Sequence, residues 1–254
     1  MLSGPPLWFL LVSLSILGAI WGSFVGALCS RWPKAESIAT GRSHCDQCGN
    51  VIAGYDLVPV ISYLVLQGRC RNCGQGIGAD IIAIELVAAS IGAVSALIFP
   101  EGQALAAAIF GWLLLPLVIL DYSHLWLPNR LVLLLAIPGL LVGPMLLPEV
   151  TLIDRVIAAS VGFLCLETIR LAYMKYRQQE GLGAGDPKLF GALGLWLGWE
   201  ALPITLLLAS VIGLSIALMT RQSSSKIKPA FPLGSYLAVA AFAASWMEVG
   251  IMPA

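Results

Sequence analysis

From Leu189 to Met219 the chain reads LFGALGLWLGWEALPITLLLASVIGLSIALM, an apolar stretch interrupted at Trp199-Glu200-Ala201-Leu202-Pro203. A membrane-spanning helix needs about 20 apolar residues, because a rise of roughly 1.5 Å per residue must cross a hydrocarbon core of about 30 Å. The stretch is long for one such helix and can be read as one span or as a hairpin of two. Six further runs have spanning length: Leu7 to Leu28, Ile81 to Phe99, Ala104 to Leu120, Leu131 to Leu147, Leu152 to Ala172 and Phe231 to Met247. Charge decides the parity, since Lys and Arg accumulate in short cytoplasmic loops. With a hairpin there are eight spans. Arg31, Lys34, Arg42, Arg69, Arg71, Arg130, Arg170, Lys175, Arg177, Lys188, Arg221, Lys226 and Lys228 then fall on one side, and only Arg155 on the other. With a single span, the Lys188 end and the Arg221 to Lys228 loop face opposite sides and the asymmetry is lost.

The expected fold is therefore an all-α polytopic membrane protein of about eight transmembrane helices, with both termini outside the cytoplasm. Composition agrees: of 254 residues, 59% are apolar and 11% charged, and the mean hydropathy is +0.90, values that place a chain among membrane proteins. No nucleic-acid partner is expected. No basic residue precedes Leu7, and Arg31 and Lys34 follow the first run, the reverse of a secretory signal's polarity. That run reads as a retained helix. In the hairpin, Leu189 to Trp199 would extend only about 17 Å, too short to cross alone. Either Glu200 lies inside the membrane, or Asp186 lies below the cytoplasmic surface in a wet, protein-lined depression.

The chain divides into a first transmembrane helix (1–30), a hydrophilic segment on the predicted cytoplasmic side (31–80) and a seven-helix membrane domain (81–254). The hydrophilic segment carries Cys45-Asp46-Gln47-Cys48 and, after 21 intervening residues, Cys70-Arg71-Asn72-Cys73. Two such knuckles can present four thiolates tetrahedrally to Zn²⁺, and Gly49 and Gly74 permit the tight turn after each. Disulfides would not persist in a reducing cytosol, and a redox motif ordinarily needs one such pair. A loop domain this small has too little core to fold alone, so a structural metal would supply the missing stability. His44 adjoins Cys45, but four cysteines already close the site. Cys29 and Cys165 lie in apolar helices and read as small buried side chains.

Ionisable groups inside spans are costly and are functional candidates by default. Glu85, Asp121, Glu167 and Asp186 qualify. Asp121 opens the turn Asp121-Tyr122-Ser123-His124-Leu125-Trp126-Leu127-Pro128-Asn129, and alone it reads equally well as a solvated loop acid or a helix cap. Asp186 ends Gly181-Leu182-Gly183-Ala184-Gly185-Asp186, with Lys188 two residues on. Its bland reading is a flexible loop with a capping aspartate; a phosphate cradle fits worse, because the Walker spacing is absent. Together, two aspartates on one face of the bilayer suggest a water-activating dyad, one carboxylate taking a proton from water while the other, protonated, donates to the scissile carbonyl. With only His44 and His124 in the chain, no serine or cysteine nucleophile has a plausible histidine, and His124 reads as a turn residue facing solvent.

Gly181-Leu182-Gly183-Ala184-Gly185-Asp186-Pro187-Lys188 is similar to the signature of the GXGD aspartic peptidases, and the full set of motifs resembles the bacterial type IV prepilin peptidases. Gly22-Ser23-Phe24 through Arg31-Trp32-Pro33, Pro59-Val60-Ile61-Ser62-Tyr63-Leu64 through Gly68-Arg69-Cys70, Glu85, Asp121 with Leu127-Pro128-Asn129, Asp186, and Phe231-Pro232-Leu233-Gly234-Ser235-Tyr236 follow the family's order. The resemblance implies that Asp121 and Asp186 are catalytic, supported by Gly183, Gly185 and Lys188. It also implies removal of the leader of type IV prepilins or type II secretion pseudopilins at the cytoplasmic face of the bacterial inner membrane. A second implied activity methylates the new N-terminus from S-adenosylmethionine, with Gly68, Arg69 and Glu85 associated with it. The chain departs from the family pattern at Arg69, where Lys is frequent, at Ser235, where Pro is frequent, and in Ala79 to Ile84, which lacks the aromatic-proline pair. The nearer alternative is a leader peptidase without methyltransferase activity. From another class, a zinc-stabilised transporter or scaffold would use Glu85 and Glu167 for ion traffic, but no repeated halves support it.

Overall fold

The computed structural model describes residues 5–34, 43–45, 47–179, 181–221 and 231–251. Arg42, Lys226 and Lys228 of the charge count, and Asp46 of the first knuckle, lie outside the described residues. The described chain is all-α: α1 (Leu7–Arg31), α2 (Ile61–Val65), α3 (Ala79–Ile98), α4 (Glu101–His124), α5 (Asn129–Leu141), α6 (Gly143–Leu146), α7 (Leu152–Arg177), α8 (Asp186–Leu197), α9 (Ala201–Arg221) and α10 (Leu233–Ile251). Four helices are long and apolar enough to cross a membrane, over Leu7–Lys34, Ala79–Ile98, Glu101–His124 and Ala201–Met219. Large apolar side chains lie bare along them, such as Trp8, Ile16, Leu97, Leu207 and Leu218, as hydrocarbon surroundings allow and water does not. This is a membrane protein with a cysteine cluster between the first and second of those helices.

Two compact units divide the chain, Met1–Ala108 and Ile109–Ala254. In the first, α1 packs along α3. A β-carbon at Gly18 or Gly92 would collide with the backbone carbonyl of Ala88 or Leu14, so glycine at both contacts lets the two backbones approach closely, the device of apolar helix pairs that gain nothing from the hydrophobic effect in lipid. The four-cysteine segment is carried between these two helices.

The second unit is built around α8, which buries Leu189, Phe190, Leu193, Trp196 and Leu197. Trp196 stacks on Phe110 with ring centroids 4.7 Å apart, and its Nε1–H donates to the Leu135 carbonyl at 2.8 Å, giving the indole the polar partner a buried tryptophan requires.

Three details differ from the sequence-based expectation. The run Leu131 to Leu147 is two helices, because Pro144 at the start of α6 has no N–H to continue α5 and its ring excludes the preceding turn. The interruption in Leu189–Met219 is narrower than the sequence suggested: α8 stops at Leu197, Gly198 takes φ +79°, and α9 already includes Ala201, Leu202 and Pro203. Proline is welcome in a helix's first turn, where its missing N–H would have no partner. Cys165, expected to be buried, is exposed on α7, while Cys29 is buried on α1.

Candidate active site and candidate metal centre

Asp121 lies in the last turn of α4 and Asp186 opens α8, where Pro187 fixes the first helical turn. Both carboxylates are 5% exposed. They converge on Gly234, at the start of α10: a β-carbon there would lie 3.1 Å from Asp121 Oδ2 and 3.1 Å from Asp186 Oδ1. These oxygens are therefore no more than twice that distance apart, with an unfilled space between them that only glycine leaves open. Asp186 Oδ2 accepts the Gly183 N–H at 3.1 Å, which ties the carboxylate to its own glycine-rich loop. Asp121 Oδ2 accepts two donors from one residue, the Ser235 N–H at 2.6 Å and the Ser235 hydroxyl at 3.0 Å.

The three motifs meet through Leu127. A β-carbon at Gly185 would lie 2.6 Å from Leu127 Cβ, and one at Gly234 2.6 Å from Leu127 Cδ1, so this side chain fills the corner between the loop of Asp186 and the start of α10. Two residues on, Asn129 Oδ1 accepts from Lys188 Nζ at 2.9 Å, joining the first turns of α5 and α8. His124 is exposed.

At the other end of α8 stands Arg155, which no motif singled out. It is fully buried in α7, and its guanidinium donates to four backbone carbonyls. Nη1 reaches Leu195 at 2.9 Å and Trp196 at 2.7 Å, and Nη2 reaches Gly143 at 2.9 Å and Leu147 at 2.7 Å. Leu195 and Trp196 are orphan acceptors at the C-terminal end of α8, where the helix dipole is negative, while the Gly143 and Leu147 carbonyls, which also accept backbone N–H groups, bracket α6. One cation thus caps α8 and ties it to α6. The only available signal was its standing as the single exception to the charge asymmetry.

In the first unit, the sulfurs of Cys45, Cys48, Cys70 and Cys73 all lie within 4.8 Å of one another, and Cys45 Sγ is 3.9 Å from Cys73 Sγ. A tetrahedral Zn²⁺ with Zn–S bonds of about 2.3 Å sets S···S edges at roughly 3.8 Å, so the cluster can hold a metal. The two knuckles repeat each other bond for bond. Cys45 N–H donates to Asn50 and Gly49 N–H to Cys45, as Cys70 N–H donates to Gln75 and Gly74 N–H to Cys70. Gly49 and Gly74 both take positive φ. Backbone donation from Asn50, then the Asn72 amide, pulls the Cys48 thiol down to about 6, toward the thiolate a metal binds. Arg71 brackets the cluster, paired with Asp56 at 2.7 Å and lying over the Tyr55 ring at 5.3 Å.

Between the knuckles, Val60 adopts φ +61°, costly for a β-branched residue, in a three-residue turn closed by Ile61 N–H on the Pro59 carbonyl at 2.6 Å. Its own N–H donates to Glu85 Oε2 at 2.7 Å. The buried acid of α3 therefore grips the cysteine loop. Gly68 has φ +65°, and a β-carbon there would lie 2.8 Å from the Tyr63 hydroxyl; Arg69 follows, exposed, in a bridge to Gly76. Glu167 is held in a two-point pair by Arg170, at 2.6 and 3.0 Å. Both acids that an ion-transport reading would use are thus engaged.

Asp121, Asp186, Gly183, Gly185 and Lys188 are gathered in the second unit, and the four cysteines with Gly68, Arg69 and Glu85 in the first. Sequence reasoning missed Ser235 and Gly234 as partners of the carboxylates, although both stand in a motif it had quoted.

Comparison with known proteins follows the same division. The family model described as Bacterial Peptidase A24 N-terminal domain matches residues 16–99, and that of the Type IV leader peptidase family matches residues 108–218. The chain is 40% identical over 206 residues to a prepilin leader peptidase/N-methyltransferase of Aeromonas salmonicida, covering 80% of this chain and 70% of the relative. It is 32% identical over 268 residues to the protein of that name in Pseudomonas aeruginosa, covering 96% and 92%. To a type 4 prepilin-like proteins leader peptide-processing enzyme of Escherichia coli it is 32% identical over 256 residues, covering 93% and 94%. No solved structure matches the chain.

Proposed function

Because the chain belongs to the type IV leader peptidase family, an aspartic peptidase family, we propose that Asp121 and Asp186 cleave the leader from prepilins or type II secretion pseudopilins at the cytoplasmic face of the bacterial inner membrane. The observation that carries this is the convergence of two buried carboxylates on the space beside Gly234. A water there loses a proton to one carboxylate as its oxygen bonds to the scissile carbonyl carbon. The other carboxyl gives its proton to the carbonyl oxygen. Burial excludes bulk water, and like charges this close cannot both remain ionised cheaply, so one proton stays on the pair.

We read the membrane domain as eight spans, with α5 and α6 together as one and α8 and α9 as the hairpin. Glu200, at the hairpin's tip, lines a cavity of about 120 Å³ with Glu149, Asp154 and Glu248, an acidic group that belongs at a wet rim. At about 18 Å for 12 residues, α8 then leaves Asp186 short of the opposite surface. The dyad lies sunk in the cytoplasmic leaflet, where a substrate's own apolar helix delivers its leader junction.

The second activity is methylation of the new N-terminus. S-adenosylmethionine, as co-substrate, would supply the methyl group. Its support is the organised loop around Gly68, Arg69 and Glu85, and a cavity of about 460 Å³ beside it lined by His44, Asn50, Tyr55, Asp56, Arg71 and Ile81 among others, within the size range of small-molecule sites. Cys45, Cys48, Cys70 and Cys73 hold a structural Zn²⁺ that keeps this loop folded.

Membranes containing the protein, incubated with a candidate prepilin and S-adenosylmethionine, should yield a product lighter by its leader and heavier by one methyl group, read by mass spectrometry. Intact prepilin would refute the peptidase reading, and a cleaved, unmethylated product would leave the peptidase alone. Cys70→Ser is expected to release zinc, measured by metal analysis of the purified protein, and to depress methylation more than cleavage. Unchanged zinc content would remove the four-cysteine site.

A further inference from the structure

We propose that Ser235 is a positioning residue that makes the aspartate pair unequal, holding Asp121 as the charged member so that the shared proton resides on Asp186. The inference rests on the dyad reading above and assigns roles within it. Ser235 is 3% exposed, and both of its donors meet one carboxylate oxygen: the N–H at 2.6 Å and the hydroxyl at 3.0 Å from Asp121 Oδ2. Asp186 receives its loop N–H from Gly183 at 3.1 Å and also meets the Gly234 N–H, two backbone donors with no hydroxyl between them. Short donors aimed at one oxygen favour the ionised state of that group, and a hydrogen bond to a charged acceptor is roughly twice as strong as a neutral one.

The hydroxyl has a second acceptor. Ser235 Oγ also lies 3.0 Å from the Val118 carbonyl, one turn before Asp121 on α4. A hydroxyl carries one hydrogen and two lone pairs. With Asp121 ionised, that hydrogen points to Oδ2. Once the carboxyl is protonated, the hydrogen turns to Val118, and Oγ can accept in its place. Ser235 therefore stays satisfied in both states through which a general base must pass, without moving any heavy atom.

The roles follow. Asp121 takes the proton from water as the water oxygen bonds to the scissile carbon, and Asp186 gives its proton to the carbonyl oxygen. The product is a neutral geminal diol, with the charge moved from Asp121 to Asp186. The other titratable groups around Asp121 are Asp186 on α8, Tyr236 on α10 and Tyr122 beside it on α4. The tyrosines ionise far above the range in which a carboxylate pair switches, so the acid limb of the rate profile reports the aspartates.

The test is the pH profile of leader cleavage in proteoliposomes containing the full chain and a prepilin, for Ser235→Ala and Ser235→Thr. Alanine keeps the N–H and removes the hydroxyl. Its acid limb is expected to move to higher pH by about one unit, the effect of losing one charge-assisted hydrogen bond, with kcat lowered about tenfold at neutral pH and KM unchanged. Threonine should restore both. If the alanine variant does not insert, Ser235→Cys keeps the size and offers a weak donor, and the same shift is expected. A profile that superimposes on the parent's, or a threonine variant no better than alanine, would overturn the assignment. The dyad reading fails separately, if Asp121→Asn or Asp186→Asn still cleaves.

Discussion

Asparagine in place of Asp121 or Asp186 is expected to slow leader cleavage roughly 10²- to 10⁴-fold, the range spanned by loss of a positioned general acid or base. The substitution is nearly isosteric. An asparagine carbonyl at 121 can still accept the N–H and hydroxyl of Ser235, and one at 186 can still accept the Gly183 N–H. Folding and insertion should therefore survive, and the loss belongs to proton transfer. Because the two carboxyls act as one unit, the double variant should be little worse than either single one. Quantifying mature product against time, beside the yield of inserted protein, checks this. Processing at the parental rate in either single variant would refute the dyad.

The second large effect concerns stability. Arg155→Met keeps a long apolar stem and removes all four hydrogen bonds to the ends of α6 and α8. The Leu195 and Trp196 carbonyls then lose their donor, at about 1–3 kcal/mol each in a dry interior before relaxation, while Gly143 and Leu147 keep backbone N–H partners. Neighbouring groups and water will recover part of that, and the expected net loss is roughly 3 kcal/mol, comparable to other disrupted buried charges. Arg155→Lys should fall between, since one ammonium has three donors and cannot span both helix ends. Unfolding of the purified protein in detergent measures it; a methionine variant with the parental midpoint would show that the capping bonds contribute nothing. Since α8 carries Asp186 at its other end, the surviving folded fraction should also cleave more slowly.

Much of this architecture could be read from composition and charge because membranes impose coarse rules. Apolar length announces α1, α3, α4 and α9. The positions of basic residues called for a break within Leu189 to Met219, and α8 and α9 part at Gly198 to Glu200, with the proline inside α9. The knuckles were legible because metal chemistry fixes both residue type and spacing. What could not be read is packing across long sequence separations. Nothing local in Ser235 says that it will meet Asp121 on another helix, and nothing in Val60 says that Glu85 will hold its N–H. Arg155 could be assigned only a side of the membrane, since its burial depends on packing against α6 and α8. The break at Pro144 was written in the sequence, but hydropathy counted Leu131 to Leu147 as one run.

The grip of Glu85 on Val60 has a further consequence. A metal bridging the knuckles closes the chain from Cys48 to Cys70, and Val60 lies within that loop. The hydrogen bond from Val60 to Glu85 closes a second loop, which threads through Cys70 and Cys73. The two closures interlock, so each restricts most of the conformations that the other would have to remove. Loop entropy grows only with the logarithm of length, and the second closure to form therefore costs little. One hydrogen bond contributes far less than a four-thiolate metal site, so loss of the Glu85 tie should loosen the loop only where the metal does not already restrain it.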